Sequence, residues 1–273
     1  MRTFNALIGL TLAGLALGLA PSMPFDASDT AGKPEIRSAA PRMSSADAMR
    51  IAFEDLKGND QKRAVTSLLN AADHGNEIAL WQLGHMYATG KVVPKDDYSA
   101  FKYYRMFADR NSSADPMLPF ARYVADAFVV VGHYYLTGIP NSPVLPNPGL
   151  AQKMFNHAAK YFGDPEAQYQ LACLLLDGKA VERDPVRAVQ WLNQAANKRH
   201  YSAQALLGRI LFKGEVGRRD PASGLMWLIV AFDASGAKVP WIAELHDNAF
   251  KQASDKERAE ALVLLERWVE GRR

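Results

Sequence analysis

Four glycines, Gly90, Gly138, Gly178 and Gly214, end four segments that match one another position by position. Eleven residues before each stands an alanine: Ala79, Ala127, Ala167 and Ala203. Seven before each stands an aliphatic: Leu83, Val131, Leu171 and Leu207. A second series follows. Ala64, Ala100, Ala151, Ala188 and Gly224 each have a large residue four positions on (Leu68, Tyr104, Phe155, Leu192, Leu228). Seven positions on come Ala71, Phe107, Ala158, Ala195 and Ala231. Spacings of four and seven put these residues on one face of a helix. Small residues there let two helices approach closely, and the large ones interdigitate. The stretch from Glu166 to Tyr201 shows the unit most plainly. Gly178 stops its first helix, as a residue tolerant of φ > 0 does, and Pro185 sits in the first turn of its second, where it costs nothing. One such hairpin cannot offset the roughly 1.5 kcal/mol per residue lost on ordering it. Stacking on its neighbours is what makes it stable, so the repeat fixes a solenoid.

The second-helix positions are spaced 36, 51, 37 and 36 apart, so the base period is about 36 with one insertion. The extra residues fall in two places, Asp109 to about Phe120 and the loop Ile139 to Pro148, which holds four prolines in ten residues. Such a loop is stiff and is neither helix nor central strand. Insertions in solenoids collect on one face, often the binding face; a rigid ornament on its own hairpin is the plainer alternative. A degenerate first helix begins near Ala46 and ends at Gly58, which makes about five hairpins. Trp241 to Phe250 and Asp255 to Glu270 predict two more helices, the last opened by a Ser254/Glu257 capping box. Its stripe is Ala261, Leu264, Leu265 and Trp268, with a charged opposite face expected to cap the stack. The expected fold is all-α: a right-handed α/α solenoid over residues 46–237, with C-terminal capping helices over 238–273.

Residues 1–20 read differently. Arg2 is followed by a charge-free run rich in Leu, Ala and Gly from Phe4 to Leu19, with Gly18 and Ala20 at the small positions of a cleavage site. This is the pattern of a secretory signal peptide. Pro21 is a poor neighbour for cleavage, so a cut further on and retention as an anchor both stay open. Residues 21–45 carry Pro, Ser, Ala and Asp without periodicity and are expected to form a disordered leader, or else an extended segment on the first hairpin.

The net charge of +3 is spread through 273 residues without a basic block, which gives no nucleic-acid footprint. One cysteine, Cys173, excludes an intrachain disulfide. None of the six histidines has metal-site spacing, and no nucleophile elbow, phosphate loop or dinucleotide fingerprint occurs. His85 and His133 share a repeat position, but that position is Cys173 and Arg209 later, so a solvated groove position is expected there rather than a metal. The expectation is a protein with no catalytic residues, no cofactor and no metal.

The pattern A-x3-LG-x2-Y-x2-G, then D-x3-A-x2-W/Y-x3-AA, resembles the Sel1-like repeat. Ala79, Leu83, Gly84, Tyr87, Gly90, Asp97, Ala100 and Tyr103 carry it, and Ala167, Leu171, Gly178, Asp184, Ala188, Trp191, Ala195 and Ala196 carry it again. That resemblance implies a TPR-related solenoid whose members are mostly adaptors and regulators. Residues 131–135, 138–144, 158–163 and 166–172, with Pro240-Trp241, are in turn similar to the ExoR family of periplasmic exopolysaccharide-production negative regulators. This narrower resemblance implies export, binding to the periplasmic domain of a sensor histidine kinase of the ExoS type, repression of that signalling pathway, and release helped by a periplasmic protease.

In a stacked array one face of each first helix lines the inner surface. Offsets −8, −5 and −1 from the glycines give Gln82, His85 and Thr89; Val130, His133 and Thr137; Gln170, Cys173 and Asp177; Leu206, Arg209 and Lys213. This mixed polar strip, with Pro140 and Pro143 of the stiff loop, is the expected partner-binding surface, meeting protein through a partly wet interface. The alternative to the regulator is an adaptor that scaffolds envelope or polysaccharide-assembly proteins.

Overall fold

The computed structural model describes residues 61–271 apart from 180 and 237, together with positions 44, 47, 49–51 and 54. The expected signal peptide and, Ser44 excepted, the expected leader lie outside the described residues. So does Gly58, although the described positions 47, 49–51 and 54 are helical. Eleven helices span the rest of the described residues. They are α1 (Gln61–Asp73), α2 (Ile78–Thr89), α3 (Asp97–Arg110), α4 (Ala121–Thr137), α5 (Pro148–Lys160), α6 (Pro165–Asp177), α7 (Pro185–Asn197), α8 (Tyr201–Lys213), α9 (Pro221–Ala234), α10 (Pro240–Gln252) and α11 (Asp255–Glu270). Each helix packs on the next in line from α1 to α10. None of them is long and apolar enough to cross a membrane.

The repeat positions are the core. The alanines at 79, 127, 167 and 203 and those at 64, 100, 151 and 188 are fully buried, as are Leu83, Leu207, Phe155 and Leu192. Second helices start alike because Asp96, Asn147, Asp184 and Asp220 each accept a hydrogen bond from a first-turn backbone N–H. Gly90, Gly178 and Gly214 end their helices in the left-handed region. Close approach shows at Gly132, where a Cβ would lie 2.5 Å from the Phe155 ring.

First helices also touch first helices: α2 meets α4, α4 meets α6, and α8 meets α10. This puts them on the inner side of the curve and positions the strip. At the stack joints, the side chain after the buried alanine reaches the preceding hairpin. Gln168 Nε2 donates to Ala159 O (3.3 Å) and Gln204 Nε2 to Ala196 O (3.0 Å). The same register holds Leu80 and Phe128 in the earlier units, both buried.

The last helix forms over its expected Asp255–Glu270 with the Ser254/Glu257 capping box present, and the one before it runs over Pro240–Gln252, slightly beyond the expected Trp241 to Phe250. They pack on α8 and α9 more than on each other. One expectation fails. The outward face of α11 is not simply charged, for Leu262 (56% exposed), Val263 and Val269 stand among its glutamates. The stripe at 261, 264, 265 and 268 uses the inward side, and the period leaves further apolar residues pointing out.

Candidate partner-binding surface

The strip is built from first-helix residues, and most of its polar side chains already hold one another. His85 is exposed and stacks on Trp81 at a centroid distance of 5.3 Å. Trp81 Nε1 in turn donates to Asp126 Oδ2 on α4 (2.7 Å), and its ring packs on Tyr123 (4.8 Å). Burial pushes the Asp126 carboxyl up, against the pull of the Trp81 hydrogen bond and the nearby His85. Gln82 is half-buried beside this group.

The next cluster centres on Glu166. Gln170 Nε2 donates to its Oε1 (2.6 Å), and His200 Nε2 lies 2.8 Å from its Oε2. His200 Nδ1 accepts from Ala203 N at the start of α8 (3.1 Å), which leaves the proton of a neutral ring on Nε2, pointing at Glu166. The His200 hydrogen bond, helped by Gln170 and His133, holds the Glu166 carboxyl below its usual range despite burial. His133 is half-buried with its ring edge-on to Phe155 (5.4 Å), and burial lowers its imidazole while Glu166 opposes. Burial likewise pushes the Cys173 thiol up, with Tyr169 hydrogen-bonded to it and the Arg209 charge in reach.

The −1 positions are the exposed edge. Thr89 and Thr137 bond back to the carbonyls of His85 (2.8 Å) and His133 (3.2 Å). Asp177 pairs with Lys179 (2.9 Å), and Arg209 with Glu215 (3.3 Å). Arg209 and Lys213 line one small cavity together with Asn248 and Gln252 of α10. Val130 and Leu206 are half-buried within the row.

Pro140 and Pro143 stand apart, exposed on the α4–α5 loop. Ile139 and Val144 anchor that loop in the core, joined by a hydrogen bond from Ile139 N to Val144 O (2.8 Å). The other insertion docks through its backbone, Ser112 O meeting His157 Nε2 (2.8 Å) and Ser113 O accepting from Tyr161 Oη (3.2 Å).

The structure thus gathers His133 and Gln170 around Glu166, and Arg209 with Lys213, while His85 belongs to a separate aromatic group. Sequence reasoning missed Trp81, Asp126, Glu166, His200, Asn248 and Gln252. One signal was available: offset −12 is acidic in two successive units, Asp126 and Glu166. Among the described residues no group of His, Cys, Asp and Glu is arranged to hold a metal ion. The chemistry on display is that of recognition: aromatic faces, imidazoles and amides at one end, guanidinium and ammonium at the other.

A family model described as the Sel1 repeat matches residues 78–112, 130–160, 165–200 and 202–235. The chain is 32% identical over 219 residues to the exopolysaccharide production negative regulator of Rhizobium leguminosarum bv. viciae, covering 80% of each. It is 29% identical over 259 residues to the protein of the same name from Rhizobium meliloti (strain 1021), covering 95% of this chain and 92% of that one. A crystal structure of a Sel1 repeat protein from Oxalobacter formigenes superposes with a TM-score of 0.58 at 27% identity, covering 84% of this chain and 88% of that one.

Proposed function

From the premise that this chain belongs to the Sel1 repeat family, among the relatives of the exopolysaccharide production negative regulators, we propose that it is a periplasmic regulator which binds the sensor domain of a histidine kinase and represses exopolysaccharide signalling. The observation that carries the reading is the likeness to two proteins named as such regulators, over 80% and 95% of the chain. The strip supports it. Its side chains are mixed polar, ring-rich and partly buried, which suits a moderate, partly wet protein interface. An all-helical repeat scaffold that uses Asp126, Glu166 and His200 in contacts between hairpins suits a binding protein.

Deleting the gene tests the proposal. Loss of a repressor gives mucoid colonies and a raised polysaccharide yield. Loss of an adaptor gives a missing assembled structure and no excess polysaccharide, and that result overturns the regulator reading. Crosslinking in intact cells, followed by identification of the captured protein, tests the kinase as partner and the periplasm as its place.

A further inference from the structure

The cavity between α8 and α10 has a volume of about 110 Å³ and no carboxylate among its lining residues. Its polar lining consists of two cations, Arg209 and Lys213, and two amides, Asn248 and Gln252. These donors are largely uncommitted. Among the described residues, the Lys213 ammonium and both amides have no hydrogen-bond or ion-pair partner. Arg209 spends Nη2 on the half-exposed Glu215, while its Nε is buried and unpartnered. Lys213, Asn248 and Gln252 are exposed to solvent, so the buried donor without an acceptor here is Arg209 Nε, and such a group is uncommon in native proteins. The rest of the lining is apolar, with Phe212, Leu228 and Leu245 beneath the polar groups.

We propose that this cavity receives an acidic side chain, aspartate or glutamate, from the segment of a partner protein that lies along the first helices. The inference rests on the reading of that strip as the partner surface. Charge selects an anion, because two cations and two amide donors line the cavity and the one acid paired with them, Glu215, engages Arg209 from outside the lining. The apolar floor selects a carboxylate on an aliphatic stem over a phosphate or sulfate, which would have no water or donor on that side. At about 110 Å³ the cavity has room for a carboxylate and a methylene or two. Arg209 supplies its buried Nε and Lys213 a point charge from the exposed edge.

The test uses the full chain and two blocked tripeptides, acetyl-Gly-Glu-Gly-amide and acetyl-Gly-Gln-Gly-amide, followed through the side-chain NH₂ resonances of Asn248 and Gln252. The glutamate peptide is expected to shift both, with weak affinity, and the glutamine peptide neither. Lys213→Gln, at an exposed position, keeps the helical circular dichroism and weakens the glutamate peptide at least about fivefold, as loss of one charge-assisted hydrogen bond should. Equal shifts from both peptides, no shift from either, or unchanged affinity in Lys213→Gln overturns the assignment. None of these results touches the regulator reading, which stands or falls with the deletion strain.

Discussion

Two hairpins of this stack are built on the same register and solve it differently. In the regular one, α6 and α7, Gly178 turns the chain into the left-handed region and six positions later Asp184 caps the next helix. In its neighbour, α4 and α5, nine positions separate Gly138 from Asn147, and Gly138 keeps the positive φ (69°) but swings ψ to 175°, against 7° at Gly178. Yet both loops return to one place. Asp184 N bonds Leu175 O (3.0 Å) and Asn147 N bonds Tyr135 O (2.6 Å), three residues before the glycine in each case. The difference teaches that the backbone bond closing the hairpin is the fixed element. The extra residues are extruded around it and pinned by Ile139 and Val144.

The core tells the same story by size. Glycine holds this register against the facing large residue at Gly84, Gly132 and Gly208, and the α6 hairpin alone sets a methyl there, Ala172. The largest expected effect comes from emptying that site. Phe155→Ala should cost about 4 kcal/mol and Leu192→Ala, its counterpart, about 3 kcal/mol, read from urea midpoints. Equal costs would mean that the two hairpins pack alike. Next, Gly132→Ala should lose about 1–3 kcal/mol because the new methyl collides with the ring, although alanine is the better helix former. Ala172→Gly should lose about 1–2 kcal/mol, from lower helix propensity and the loss of a buried methyl.

The acids at offset −12 sharpen the comparison through pH. Glu166 titrates below its usual value of 4.5, chiefly because His200 bonds its carboxylate. Its contribution is therefore whole above that value and fades as pH falls through the lower folded one. Asp126 titrates above its usual 3.8 because it is buried. Its ionised form costs stability near neutrality, and that cost vanishes in acid. Glu166→Gln should destabilise at neutral pH and Asp126→Asn should stabilise, both effects shrinking toward acid. A series of urea midpoints against pH checks this, and matching signs would refute the assignment of causes. Smallest of all, Pro143→Ala in the exposed loop should cost less than about 1 kcal/mol, an unfolded-state effect visible as a slight fall in midpoint.

The scaffold was legible because its signal is small residues at fixed intervals, and an alanine that must be buried leaves a mark whatever surrounds it. Ala79, Ala127, Ala167 and Ala203 show this, each fully buried as its spacing requires. The surface was legible only in part. His133, Gln170, Arg209 and Lys213 could be placed on a face by counting, but their partners come from other units. Trp81 and Asp126 are 45 positions apart and Glu166 and His200 are 34 apart, pairings that no period within one helix reveals. Asn248 and Gln252 sit on α10, where the repeat no longer holds and counting has no origin. The apolar outward face of α11 escaped for a related reason. With hydrophobic residues on two sides, the stripe that packs does not say what the other side is left to do.

The joints between hairpins carry one further consequence, a mechanical one. Gln168 and Gln204 tie α6 and α8 to carbonyls of the preceding helices, whereas Leu80 and Phe128 meet their neighbours through hydrocarbon alone. Hydrocarbon contacts slide with little change in energy, while a hydrogen bond tolerates only small displacement before it breaks. Stretched from its ends, such a stack is held by different bonds along its length: amide to backbone carbonyl at the C-terminal joints, and indole or phenol to carboxylate, Trp81 to Asp126 and Tyr134 to Asp97, at the N-terminal one.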